Sequence, residues 1–254
     1  MLFRSFMAPF PNLIGRLEKP GVIWCKTDPG SRESKKPDGG FIQYLAKSDE
    51  NDLRFRACGE YLYDALEKMV FRDQNRSIKA LEGTHLLSGA AYWSKDENVR
   101  HGKKRSTCPR ADWFQSAFEA TAGCDLVFLD PDNGIECTNL RPTQGKSRKY
   151  VFRCEVGKLI ERGQSVVVYH HTHFRVPAEE QVRQHLRMLA EAIALPGRPF
   201  GVLFHRGATR AFLILPVQKH YQTLLERTNE LVQKWGEDEW KTGKPRGHFT
   251  GPIF

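Results

Sequence analysis

Two rhythms of apolar and polar residues alternate along this chain. Short, nearly unbroken apolar runs predict strands at residues 21–27, 77–82, 84–93, 165–169, 200–204 and 210–215, and at Leu126-Val127-Phe128-Leu129 just ahead of Asp130. Between them, apolar residues recur at helical spacing. The stripes are Leu62, Leu66, Met69 and Val70; Trp113, Phe114, Ala117 and Phe118, stopped by Gly123; Phe152, Val156, Leu159 and Ile160, stopped by Gly163; Val182, Leu186, Leu189 and Ile193, opened by Pro177, Glu179 and Glu180; and Tyr221, Leu224, Leu225, Leu231, Val232 and Trp235. Strands that alternate with helices imply a mostly parallel sheet with helices on both faces. The last two strands, joined by Arg206-Gly207-Ala208-Thr209, form a terminal antiparallel hairpin. The reading is one Rossmann-like α/β domain over residues 1–254, with a core at about 21–235 and a patternless basic tail, 236–254, expected to be mobile.

Charge narrows the partners. The chain carries 39 Lys+Arg against 30 Asp+Glu, a net charge of +9, which favours a polyanion, nucleic acid first. Two basic stretches stand out: 98–110, with Arg100, His101, Lys103, Lys104, Arg105 and Arg110, expected as an exposed loop, and 139–149, with Arg141, Lys146, Arg148 and Lys149. No run of about 18 apolar residues exists, so no membrane span is expected. Pro9 and Pro11 interrupt the N-terminal apolar patch, which argues against a secretory signal and for the cytoplasm. Cys25, Cys58, Cys108, Cys124, Cys137 and Cys154 form no C-x-x-C pair and read as reduced thiols. The oligomeric state is left open.

Candidate chemistry gathers where strands end. Asp130-Pro131-Asp132-Asn133-Gly134-Ile135-Glu136 follows a buried strand, and open α/β sheets keep their sites at the carboxyl ends of strands. The run 165–169 delivers His170, His171 and His173 to a second strand end. Read alone, Asp130, Asp132 and Glu136 with His170, His171 or His173 could bind Mg²⁺ or Mn²⁺ and activate water against a phosphodiester. A reading without catalysis also fits: basic stretches on either side of the Asp-Pro turn would contact phosphates.

Asp130-Pro131 after an apolar strand resembles the Asp-Pro-Pro-Tyr motif of adenine-N6 and cytosine-N4 methyltransferases. The order of segments from about 21 to 216 is similar to that of the J-type 23S rRNA adenine-N6 methyltransferases, with Thr27, Asp38, Gly39, Gly40, Tyr44 and Leu45 similar in kind after the first strand. The likeness is to a divergent form: no Gly-x-Gly-x-Gly follows that strand, and Asp132-Asn133 stand where Pro-Tyr would be. The resemblance implies S-adenosylmethionine as cofactor, near Thr27, Asp38, Gly39 and Gly40, with Glu82 at the end of the expected second strand holding its ribose. It also implies that Asp130 and the Pro131 carbonyl accept hydrogen bonds from an exocyclic amine of a nucleic-acid base, while Asp132 or Asn133 meets the base edge.

Overall fold

Which way a strand's side chains point, and what covers each face, sets the layers of this fold. The computed structural model describes residues 19–25, 42, 45–49, 56, 60–75, 77–84, 86–87, 89–94, 109–137, 139–206, 208–236 and 248–254. In chain order the elements are β1 (Pro20–Trp24), α1 (Glu60–Glu67), α2 (Ile78–Glu82), β2 (Ala91–Trp93), α3 (Pro109–Ala120), β3 (Leu126–Asp130), β4 (Gly134–Ile135), β5 (Tyr150–Val151), α4 (Arg153–Glu161), β6 (Ser165–His171), α5 (Ala178–Ala192), β7 (Phe200–Arg206), β8 (Ala208–Leu215), α6 (Gln218–Gly236) and β9 (Phe249–Ile253).

The described residues form a seven-stranded sheet in the order β2-β1-β3-β6-β8-β7-β9, with β4 and β5 as a separate parallel pair. Strands β2, β1, β3 and β6 run parallel, and β8 opposes β6. Because β7 opposes β8 and β9 opposes β7, β7 points with the first four. The sheet is therefore mostly parallel, in a Rossmann-like α/β arrangement, and the hairpin forms as expected.

Alternation divides the core into two layers. Val22, Trp24, Leu126, Phe128, Val167 and Tyr169 face one side and pack on Leu62, Leu66, Met69 and Val70, on Leu81 of α2, and on Leu224 and Leu231 of α6. Ile23, Val127, Leu129, Val166 and Val168 face the other, against Trp113, Phe114 and Ala117 of α3, Val156, Leu159 and Ile160 of α4, and Val182, Leu186 and Leu189 of α5. Each fully buried Leu, Val or Phe contributes roughly 1.5–3 kcal/mol. Both faces are covered, which is why β1, β3 and β6 read as apolar runs without a polar face.

Four expectations are corrected. The stretch 77–82 is a helix rather than a strand: the Ser77 hydroxyl accepts the Ala80 amide at 3.1 Å and caps α2, a contact typically worth about 1 kcal/mol. The strand expected over 84–93 shrinks to Ala91–Trp93 at the sheet edge. Arg110 lies in α3, buried, not in an exposed loop; the rest of that basic stretch is outside the described residues. The tail is not patternless throughout: Phe249–Ile253 becomes a strand once β7 offers it a partner, with Phe249 opposite Phe204 and Ile253 opposite Gly201. Among the described residues no helix is long and apolar enough to cross a membrane.

Candidate active site

The path of the chain through the sheet singles out one pair of strand ends. From β1 the chain moves outward to β2, then returns past β1 to β3 and continues to β6. The direction of travel reverses between β1 and β3, and open α/β sheets bind ligands beyond the carboxyl ends of strands at such a reversal. Asp130, the last residue of β3, pairs with Trp24, the last residue of β1, at this point. The Cys25 amide donates to the Asp130 carbonyl at 3.3 Å and closes the ladder.

By the same alternation Asp130 shares a face with Phe128 and Trp24. Its carboxyl makes no hydrogen bond or ion pair with any described residue. Burial, and then the nearby Asp132, push it up to about 7. The residue as a whole is half-buried. Strongly shifted carboxyls without a partner cluster at functional sites, which makes Asp130 a candidate site residue.

The neighbouring strands extend this face with polar groups. On β6, Tyr169 and His171 stand two residues apart with their rings edge to face, 5.2 Å between centroids. On β8, Arg210 is in register with His171 and donates from Nε to the Tyr169 hydroxyl at 2.8 Å. Burial raises the Tyr169 phenol despite Arg210, so it stays protonated. Burial, then Arg210, lower His171 to about 4, so it is neutral at pH 7. On the β1 side, Trp24 Nε1 donates to Glu82 Oε1 at 3.1 Å, and the buried Tyr92 hydroxyl has no partner among the described residues. Burial, with Glu82 nearby, pushes Tyr92 up to about 12. A carboxylate with one free oxygen near an unsatisfied hydroxyl suits a polyhydroxyl group such as a ribose, because a buried hydroxyl without a partner costs free energy.

The remaining residues of the turn brace it. Asn133 donates its amide to the Lys149 carbonyl at 2.9 Å and accepts from the His171 amide at 3.1 Å, so the turn is tied to the end of β6. Gly134 has φ of 118°, and a Cβ there would strike the His170 ring and come within 3.0 Å of the His170 Cα, which leaves glycine as the residue that fits. His170 then accepts the Ile135 amide on Nδ1 at 3.1 Å. Burial holds His170 well below the usual histidine range, which keeps Nδ1 an acceptor. Asp132 is exposed and pairs with Lys149 at 3.3 Å.

The structure therefore separates the residues that sequence grouped together. Asp130, Pro131, Asp132 and His171 lie at the carboxyl ends of β3 and β6. His170 points to the opposite face, where its ring lies 4.0 Å from that of His185. Glu136 accepts from both the amide and Nε of Arg153 at 2.9 Å, and His173 accepts the Arg175 amide on Nδ1. The expected metal donors Asp130, Asp132, Glu136 and His173 do not converge, and among the described residues no three His, Cys, Asp or Glu side chains are grouped to hold a metal ion. Glu82 ends a helix rather than a strand, though it does reach Trp24. Thr27, Asp38, Gly39, Gly40 and Tyr44 lie outside the described residues.

Tyr169 and Arg210 were missed from sequence. Period-2 alternation on β6 would have paired Tyr169 with His171 and set His170 apart. Arg210 needed the register of the hairpin against β6. No family model matches the chain, and no curated protein or solved structure matches it.

Proposed function

We propose that the carboxyl ends of β1 and β3 form the active site of an S-adenosylmethionine-dependent methyltransferase that acts on an exocyclic amino group of a nucleic-acid base. The observation that carries this reading is Asp130: a carboxyl with no partner among the described residues, raised to about 7, at the point where the strand order reverses. In its ionised form it accepts an N–H of the amine, which fixes the nitrogen so that its lone pair is directed away from the carboxylate. As nitrogen forms its new bond to carbon it becomes cationic, and a carboxylate of raised pKa is well matched to stabilise that charge and take the released proton. S-adenosylmethionine supplies, when bound, a methyl group on a sulfonium sulfur that needs no further activation. Glu82 and Tyr92 would hold its ribose on the β1 side. Tyr169 and Arg210 offer a hydroxyl and a guanidinium to the target base on the β6 side. The net charge of +9 supports a polyanionic substrate.

Two measurements on the full chain test the reading. Calorimetry should detect S-adenosylmethionine binding, and a labelled methyl group should pass to RNA or DNA with wild type but not with Asp130→Ala. The absence of any binding heat at millimolar S-adenosylmethionine would remove the proposal.

A further inference from the structure

The loop between β6 and α5 carries an aromatic ring that the fold does not use. Phe174 is 97 % exposed. Isolated apolar residues on a surface are ordinary, but the loop beneath this one is built to keep it there. Gln181, only 3 % exposed, donates from Nε2 to the carbonyls of His173 at 2.7 Å and Val176 at 2.6 Å, and accepts the His173 amide on Oε1 at 3.0 Å. The Thr172 hydroxyl donates to the Thr209 carbonyl at 2.7 Å, and the Arg175 amide donates to His173 Nδ1 at 3.3 Å. The backbone on both sides of Phe174 is thus pinned to a buried amide side chain, so a partner that meets the ring need not pay to order the loop. Phe254, another exposed ring, differs: the Arg198 guanidinium lies 4.4 Å from its centroid and Phe200 packs beside it.

Position and charge narrow what this ring could meet. The loop leaves the end of β6, next to β3 in the sheet, and the His171 amide bonds the Asn133 carbonyl, so the Phe174 loop and the Asp130 turn share a hydrogen-bonded base. The exposed Arg175 directly follows the ring. A flat ring with a cation beside it, near that turn, takes an unpaired base by stacking while the cation meets a phosphate.

We propose that Phe174 is a stacking platform for an unpaired nucleobase of a single-stranded substrate, with Arg175 on the adjoining phosphate; this rests on the nucleic-acid part of the function above. The test uses the full-length protein and fluorescein-labelled single-stranded RNA and DNA oligonucleotides, with duplexes of the same sequence as controls, read by polarisation at fixed salt. Phe174→Ala and Phe174→Leu should weaken single-strand binding roughly tenfold or more, since one base on an aromatic ring is worth that much. Phe174→Trp should retain wild-type affinity, and duplex binding should not change in any variant. Thermal denaturation should be the same for all, because the ring buries almost nothing. Unchanged single-strand affinity in Phe174→Ala, or full retention in Phe174→Leu, would overturn the stacking role and point instead to a protein partner for this ring. S-adenosylmethionine binding, measured on the same variants, separates the two proposals: its presence with no Phe174 effect sinks only the platform, and its absence with a Phe174 effect sinks only the methyltransferase.

Discussion

Replacing Asp130 with asparagine should make the protein more stable at neutral and alkaline pH and, on the function proposed above, should abolish methyl transfer. The Asp130 carboxyl is raised from 3.8 to about 7 by burial and by Asp132, so it ionises roughly three pH units later in the folded chain than in the unfolded one. At about 1.4 kcal/mol per unit, the ionised form costs on the order of 4 kcal/mol above pH 7. Because Asp130 is half-buried rather than sealed, water reduces this to about 2 kcal/mol. Between pH 3.8 and 7 the native state keeps a proton that the unfolded state has lost. Wild-type stability on this account therefore falls as pH climbs through that window and levels off above it. Asparagine has no proton to lose, so the variant gains nothing near pH 4 and its full advantage by about pH 8. In a chain of this size, about 2 kcal/mol raises Tm by roughly 4–8 °C. Urea and thermal denaturation of both proteins from about pH 4 to 8.5, beside a methyl-transfer assay, would measure it. An asparagine variant no more stable than wild type at pH 8 would refute the reasoning, because the carboxylate would then have a stabilising partner.

Gly134→Ala should cost at least about 3 kcal/mol in urea denaturation, from positive φ and the collision with His170 together; a loss under about 1 kcal/mol would mean that the turn relaxes freely. Arg110 and Glu155, 3 % and 6 % exposed, form a two-point ion pair at 2.7 and 2.8 Å, so Arg110→Ala should lose about 3–5 kcal/mol by leaving a buried charge uncompensated. Arg110→Met combined with Glu155→Gln, which keeps an acceptor for the Phe152 amide, should recover most of that loss; no recovery would show that the charges themselves are needed. Acid should act on the histidines in the direction opposite to Asp130. Burial lowers His170, His171 and His185, so their contribution is complete above about pH 6.5 and is lost as pH falls from there towards 4. In an Asp130→Asn background the urea midpoint should drop between about pH 7 and pH 5, and drop less with His185→Gln added; a flat midpoint would contradict neutral burial of these rings.

Much of the fold was legible because burial on both faces leaves a plain mark: β1, β3 and β6 are apolar runs, and the stripes of α1, α4, α5 and α6 fall at helical spacing. Local signals failed where a distant partner decides. Ile78 and Ala80 alternate with polar residues like a strand, but the Ser77 cap and Leu81 pressed into the core favour a helix turn. Arg110 looked like one more cation in a basic run, and only Glu155, 45 residues on, explains its burial. The members of the Asp-Pro-Asp-Asn-Gly turn divide in a way that composition cannot show. Asp130 shares the face of Trp24 and Phe128, Asn133 and Gly134 hold the turn in shape, and Glu136 is engaged with Arg153.

The last strand has a consequence for how copies of this chain behave in concentrated solution. An open sheet offers its outermost strands to any neighbour, and a long flat edge invites another chain to add on. Among the described residues one outer strand, β2, is three residues long. The other, β9, carries Pro252, which has no amide hydrogen to donate, and its pairing with β7 shifts register between Gly201 and Leu203. Among the described residues both borders of the sheet are thus poor templates, which discourages self-association along the sides of its strands.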